Sequence, residues 1–231
     1  NSFIVNQKTK RFTYYMKSVP VSYEAFKTDH VGKREMIGTQ IGDRARLTQD
    51  KRAILDTYGD AFAGSVSTTP DGDALASNSH TTLKSQTVDN LETSALSPDG
   101  LWTTVLSLTN QYAQDGELGS HVFTGILLPS ILYKTGQEIM NSELLANSGE
   151  NNLNIFSTIY GQVAIKESQF LGSTYNSATN ANTSYHVISN NHMIMRCVLD
   201  DMSTDLIEPR YSRTDSYEYR ARFMETAFPG S

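Results

Sequence analysis

Bulky and polar residues alternate along the first segment of the chain. Between residues 3 and 22, Phe12, Tyr14 and Met16 share one side. Alternation of bulky and polar residues with a period of two predicts a β-strand. The segment also carries four basic residues of the kind that keep an exposed arm or edge strand from pairing indiscriminately: Lys8, Lys10, Arg11 and Lys17. The pattern fits a hairpin strand and a protruding arm equally well.

After residue 22 the spacing of apolar residues changes from the two-residue period of a strand to the period of a helix. Ser22 is placed to cap a short helix, and from about residue 34 to 62 apolar or small residues keep to one helical face. Those positions are Ile37, Ile41, Ala45, Thr48, Leu55, Tyr58 and Phe62. Charged residues fill the other faces, which is typical of a solvated or interface side. We predict a spine helix of about 42 Å, at 1.5 Å per residue, that ends at Gly64.

The middle of the chain begins with a polar segment. Residues 65–100 are rich in Ser, Thr, Asp, Gly and Asn, so we expect little regular structure beyond a turn at 68–73. Ser97 and Pro98 then predict the N-cap and first residue of a helix. Its buried face is predicted to carry Leu101, Val105, Leu108 and Tyr112.

The remaining elements are predicted to be mostly strands. A buried strand at 125–129 ends at a proline, and Ser130 should cap a helix that runs to about Leu145. The inward positions of that helix are predicted to be Ile131, Leu132, Ile139, Met140 and Leu144. Further strands are expected at 162–165, 184–188, 193–198 and 217–223, with an exposed hairpin tip at 172–183. Together these elements indicate a mixed helix and sheet protein.

Composition narrows the class of protein. The 231 residues suit one large domain or two interlocked small ones. A single cysteine, Cys197, excludes a disulfide scaffold. No apolar run approaches the roughly 18 to 20 residues of a membrane span, so we expect a soluble protein. The net charge of −6 argues against nucleic-acid binding through one large basic face. The start, Asn1-Ser2-Phe3, suggests a processed product or a partial chain.

No residue pattern in the sequence indicates a catalytic or metal-binding site. The histidines, at 30, 80, 121, 186 and 192, show no i, i+4 pair for a metal. Asp200, Asp201 and Asp205 fit a solvated acidic turn better than a calcium loop. Ser65 follows a helix and lacks the nucleophile elbow pattern, and Cys197 is expected to be a buried, inert thiol. We therefore predict no catalytic, cofactor-binding or metal residue and no enzyme activity, and contact with other chains as the main role.

The order of the elements resembles the major capsid proteins of tailed bacteriophages (Caudoviricetes). The segments that carry the resemblance span most of the chain and are 17–26, 58–62, 70–75, 79–80, 90–91, 94–97, 127–130, 139–142 and 217–223. No single motif among them is decisive, and it is their joint occurrence in this order that is specific.

The resemblance implies the α+β fold known as Hong Kong 97-like. It assigns residues 1–21 to the returning part of an elongated loop and residues 22–94, with the spine helix at 34–62, to a peripheral domain. Residues 95–190 would form an axial domain, and residues 191–231 would return to the peripheral domain. On this basis the N-terminal arm and the outgoing strand of the elongated loop are expected to precede residue 1.

The resemblance also implies a function. The chain would be a structural protein that self-assembles into pentamers and hexamers, forming an icosahedral head around double-stranded DNA without sequence-specific binding. It would reside in the virion after assembly in the host bacterial cytoplasm, with scaffold, portal and decoration proteins as candidate partners. No cofactor and no membrane contact are implied.

Two other readings stay open at this point. An encapsulin-type nanocompartment shell protein would share the fold and hold cargo protein instead of a genome. A carbohydrate-binding tail or adhesin module, suggested by 12 tyrosines and polar loops, would predict an all-β chain. An enzyme is a remote third, and it would require a cleft that gathers ionisable groups with shifted pKa values.

Overall fold

The computed structural model describes residues 9–29, 32–66, 68–144, 153–161, 163–178, 180–190, 194–209 and 216–229. The chain forms two compact units. Unit 1 is built from Ile54–Ile194, and unit 2 combines Thr9–Ala53 with Met195–Ala227. Helices and strands occur in both units, which confirms the predicted α+β class. None of the helices in the described ranges combines the length and apolar character needed to cross a membrane.

The sheet of unit 2 has three strands in the order β1-β8-β7. They are β1 (Thr13–Ser22), β7 (Ile194–Ile207) and β8 (Ser216–Pro229), and β1 runs antiparallel to β8. Tyr15 lies opposite Phe223, and their rings stack with centroids 4.9 Å apart. The predicted first strand is confirmed over 13–22, while residues 3–8 lie outside the described ranges. The alternation in β8 is also confirmed, since Ala221 and Phe223 are buried.

Two helices complete unit 2. In α1 (Tyr23–Lys27), the Ala25 amide donates to the Ser22 hydroxyl at 3.2 Å, as the predicted cap requires. The long helix α2 covers Lys33–Ile54 and is followed by a π-helical turn, Leu55–Gly59. The prediction of a regular helix through residue 62 is therefore wrong at its end. Because a π turn inserts an extra residue, the α-helical spacing of the apolar face does not continue past Ile54.

The predicted apolar face of α2 is only partly buried. Ile41 and Gln49 are its buried residues, and Ile37, Ala45 and Thr48 are half-buried. Gly64 has a left-handed backbone with φ +59°, and its amide donates to the Asp60 carbonyl. It therefore closes the turn after the π-helical segment and does not end the α-helix.

Unit 1 has a second three-stranded sheet, in the order β5-β4-β6. The central strand β4 (Phe123–Pro129) pairs parallel to β5 (Ala164–Ser168) and antiparallel to β6 (His186–Ser189). A short two-stranded ladder is formed by β2 (His80–Thr81) and β3 (Thr87–Val88). The described part of the polar segment that ends at residue 97 is otherwise irregular, as expected.

Three helices pack around this sheet: α3 (Pro98–Thr109), α4 (Ser130–Asn141) and α5 (Ile155–Ile159). The Gly100 amide donates to the Ser97 hydroxyl at 3.0 Å, which confirms the predicted start of α3. The core is the set of buried residues Leu101, Val105, Phe123, Ile126, Leu128, Ile139, Met140 and Phe156. Burying this apolar surface is the main stabilising contribution in unit 1.

Several predicted details of unit 1 are wrong. Helix α4 ends at Asn141 and its N-cap is Pro129, so Ser130 is its first residue and not its cap. Ile131 and Leu144, predicted to point inward, are 65% and 46% exposed. Residues 172–183 connect β5 to β6, which lie on opposite sides of β4, so this segment is not a hairpin tip. Most of the predicted loop at 147–154 lies outside the described ranges.

Candidate functional site

Unit 1 contains a cavity of about 850 Å³. Its wall is formed by the π-helical turn, the irregular segment before α3, one side of α3 and strand β6. Small-molecule sites span roughly 300 to 1,000 Å³, so this space is large enough for a ligand or for a side chain from another molecule. The titratable residues along the wall are Tyr58, Asp71, His80, Glu92, Tyr112, His121, Tyr185 and His186.

His186 is packed between aromatic rings on this wall. Its imidazole lies 5.1 Å from the ring of Tyr58 and stacks on Phe62 at 5.5 Å, measured between centroids. Burial lowers the pKa of His186 to about 4, because the apolar surroundings disfavour the charged ring. His186 is therefore neutral near pH 7, and its contacts are those of a packed aromatic residue.

The two tyrosines near His186 are also uncharged. Burial raises the pKa of Tyr58 and of Tyr185 above their ordinary value. The Tyr185 hydroxyl forms a 2.9 Å hydrogen bond with the hydroxyl of Thr104. This part of the wall thus provides neutral hydrogen-bonding groups and aromatic surface, which suits packing better than proton transfer.

A second cluster lies where the turn before β2 folds back. His80 Nδ1 lies 2.8 Å from Asp71 Oδ2, and His80 Nε2 lies 3.2 Å from the Leu75 carbonyl oxygen. The Ser79 hydroxyl donates to Asp73 at 3.0 Å, and the Thr69 hydroxyl donates to Asp71. These bonds join the turn at 69–75 to strand β2.

Opposing effects act on the pKa of the Asp71 carboxyl. Partial burial raises its pKa, but hydrogen bonds from Thr69, from His80 and from the Asp73 amide, together with the charge of His80, outweigh this effect. The net result is a pKa below the ordinary value for aspartate. Asp71 is therefore ionised near neutral pH and accepts these bonds as a carboxylate.

Asp71, Asp73 and His80 form the group in the described ranges whose ligand atoms lie close enough to suggest a metal, all within 4.8 Å of one another. Both ring nitrogens of His80 lie within hydrogen-bonding distance of groups of the chain itself, the Asp71 carboxylate and the Leu75 carbonyl oxygen. We interpret this cluster as a structural clasp. The sequence spacing gave no signal for it beyond the predicted turn.

Three of the histidines considered from the sequence line the cavity, but the serine, the cysteine and the aspartates do not. Cys197 is half-buried in β7, and Asp200, Asp201 and Asp205 are exposed in the same strand. The expectation that these aspartates form an acidic turn is therefore wrong. Ser65 donates its hydroxyl to Asp60 in the loop after the π-helical turn. His30 and His192 lie outside the described ranges.

Several large apolar side chains of unit 2 are exposed. On the sheet, Tyr14, Met16, Met195 and Leu199 are exposed, and Leu199 reaches 65%. On α2, Met36 is 57% exposed. By contrast, Glu225 is buried and paired with Arg196 at 2.6 Å, so it stabilises the sheet internally. Large exposed apolar groups of this kind mark interaction surfaces when they occur close together.

Comparison with known proteins finds similar folds among solved structures only. No family model and no curated protein sequence matches this chain. Among solved structures, the capsid of Myoviridae phage XM1 matches with a TM-score of 0.51 and 14% identity, over 93% of this chain and 68% of that chain. A structure from Gordonia phage Cozz matches at TM-score 0.45 and 13% identity (100% and 78% coverage), and one from Mycobacterium phage Ogopogo at 0.42 and 12% (100% and 83%).

This chain shares its fold with the capsid of phage XM1. The likeness to the XM1 capsid extends over nearly the whole chain, which confirms the resemblance recognised from the short residue segments. At 14% identity the likeness concerns the fold alone.

Proposed function

We propose that this chain is a structural capsid subunit that self-assembles into pentamers and hexamers of an icosahedral phage head enclosing double-stranded DNA. The observation that carries the proposal is the likeness to the XM1 capsid over 93% of the chain. The subunit would reside in the virion after assembly in the host cytoplasm. Scaffold, portal and decoration proteins would be its further partners.

The surface chemistry supports a role in assembly. Unit 2 exposes apolar residues on its sheet and on α2, where each alone would provide only a weak contact. A closed shell repeats each contact many times, and heterologous interfaces close only at the correct rotation. Weak contacts of this kind therefore add up to a stable particle and still permit correction during assembly.

We further propose how the chain divides into the elongated loop and two domains. Strand β1 would be the returning part of the elongated loop, residues 22–94 and 191–231 the peripheral domain, and residues 95–190 the axial domain. Unit 2 supports this because it joins Thr9–Ala53 to the distant Met195–Ala227. Unit 1 contains all of 95–190, and it also includes 54–94, so the compact units and the proposed domains divide that segment differently.

A non-enzymatic role fits the chemistry of the cavity. His186 and the nearby tyrosines are neutral, and His80 is engaged by two acceptors. The carbohydrate-binding alternative predicted an all-β chain, and α2, α3 and α4 argue against it. The encapsulin alternative shares the fold class, but the structural matches quoted above come from phages.

The proposal is tested by the size of the particles that the protein forms. We expect analytical ultracentrifugation of the purified full-length protein to show assemblies of many subunits, either alone or with its scaffold. A protein that stays monomeric over a range of salt and scaffold concentrations would contradict the proposal.

A further inference from the structure

Helix α2 has a well-defined side that faces the sheet. A side chain at Gly38 would lie 3.3 Å from the ring of Tyr219, and one at Gly42 would lie 3.7 Å from Thr204. Ile41 and Gln49, which share this side, are the buried residues of the helix. The opposite side is exposed to solvent, and its charges follow a pattern.

Basic residues lie along one flank of this exposed side. Lys33, Arg44 and Lys51 are separated by 11 and 7 residues, close to whole numbers of helical turns at 3.6 residues per turn, so they form one stripe. Nearer the sheet on the same flank, Arg34 lies over the ring of Phe26 at 5.3 Å, and Arg52 lies over that of Tyr15 at 5.9 Å. We call these five residues the basic flank.

Acidic residues lie along the other flank. Asp43 and Asp50 are 7 residues apart and therefore share a stripe, with Glu35 nearer the sheet. Arg46 lies among them, so three acids and one base leave this acidic flank with a net negative charge. Between the two flanks, Met36 and Leu47 are 57% and 40% exposed. Exposed apolar side chains with charged residues around them fit the usual layout of a protein interface.

Three charges on the exposed side are not paired within the described part of the subunit. Asp43, Arg44 and Asp50 are exposed and form no ion pair with any residue in the described ranges. Arg44 lies on a different stripe of the helix from the two aspartates, about 100 to 120° away around the axis, so it does not pair with them.

We propose that neighbouring copies of this chain contact each other through α2, with the basic flank of one copy against the acidic flank of the next. A polyanion such as DNA would match the basic flank but would be repelled by the acidic one. A second copy matches both. The contact is heterologous, so it forms a ring when the rotation between copies closes. This inference rests on the proposed assembly function and adds which surface of the subunit makes the contact.

Charge reversal with rescue tests this contact. We expect Arg44→Glu and Asp50→Lys each to lower the assembled fraction about tenfold or more, because like charges then face each other between copies. The double variant exchanges the signs at these two positions, so opposite charges again face each other there between copies, and it should restore assembly to within about threefold of wild type. Arg44 and Asp50 lie on opposite flanks, so the rescue cannot arise within one copy. Lys134→Glu on α4, whose side chain is 87% exposed, is the matched control and should assemble normally.

The outcomes separate the inference from the proposed function. Thermal unfolding of each variant shows whether the subunit still folds, and exposed charges should shift it little. If wild type assembles and the single variants assemble equally well, the inference is wrong and the function stands. A folded double variant no better than the single ones also overturns the inference. If wild-type protein forms no particle, both fail.

Discussion

At the scale of single residues, His186 and His80 lie in opposite settings. His186 is packed against aromatic rings and has a lowered pKa, whereas the ring nitrogens of His80 lie within hydrogen-bonding distance of Asp71 and the Leu75 carbonyl oxygen. The same side chain thus serves as a neutral packing residue in one place and as a polar clasp in another. Environment, more than residue type, decides which role a histidine takes.

His186 predicts a loss of stability in mild acid. Its pKa is about 6.5 unfolded and about 4 folded, so the unfolded state binds the proton more readily in between. The stabilisation is complete above about pH 6.5 and is lost as the pH falls towards 4, by up to about 3 kcal/mol. Denaturant unfolding at several pH values measures this loss. His186→Phe should flatten the dependence, and an unchanged slope in that variant would contradict the assignment.

Asp71 predicts a separate loss at lower pH. Because its folded pKa is lowered, the bonds it accepts stabilise the fold above its ordinary titration range, and this contribution is lost as the pH falls through the folded pKa. At pH 7, Asp71→Asn should destabilise unit 1 by about 1 to 2 kcal/mol, since it replaces charged hydrogen bonds by neutral ones. Hydrogen exchange should show the loss around residues 69–80, with α3 as the internal reference. Equal protection of that segment in both proteins would rule out the clasp.

At the scale of elements, α2 stands out because a 22-residue helix buries only two of its residues. Ile41 is one of them, at 6% exposure, and it anchors the helix on the sheet. The helix therefore depends on few internal contacts and presents most of its surface to the outside.

Ile41→Asp should unfold unit 2 or block assembly. An unpaired carboxylate at this position costs several kcal/mol, because it loses apolar burial and is itself desolvated. Gln40→Asp places the same charge at an exposed neighbouring position, so unit 2 should still fold in that variant. Far-ultraviolet circular dichroism compares the folding of the two variants, and particle yield is measured for Ile41→Asp. A normal yield from Ile41→Asp would show that the sheet-facing side of α2 is wrongly assigned.

Local signals made several elements predictable from sequence. Ser97-Pro98 marks the start of α3, and the alternation around Ala221 and Phe223 marks β8, since caps and strand periods depend on near neighbours. The π-helical turn Leu55–Gly59 and the placement of β5 and β6 on either side of β4 were missed because they depend on distant packing. The clasp was missed for the same reason: Asp71 and His80 meet only once the intervening loop folds back.

At the scale of the whole molecule, assembly of many copies explains three features together. They are the fold shared with a phage capsid, the exposed apolar residues of unit 2, and the separate basic and acidic flanks of α2. The fold provides two compact units, and the surface provides contacts that a lone subunit does not use. In the proposed function, a shell made of many copies would give those surfaces a partner. This is the central claim, and it concerns the assembled state.

Cryo-electron microscopy of particles assembled from the full-length protein tests that claim most directly. We expect closed shells with icosahedral symmetry, in which each subunit fits the fold described here and α2 lies at a boundary between neighbouring copies. Density that requires a different subunit fold, or preparations that contain only monomers and irregular aggregates under every assembly condition tried, would contradict the account.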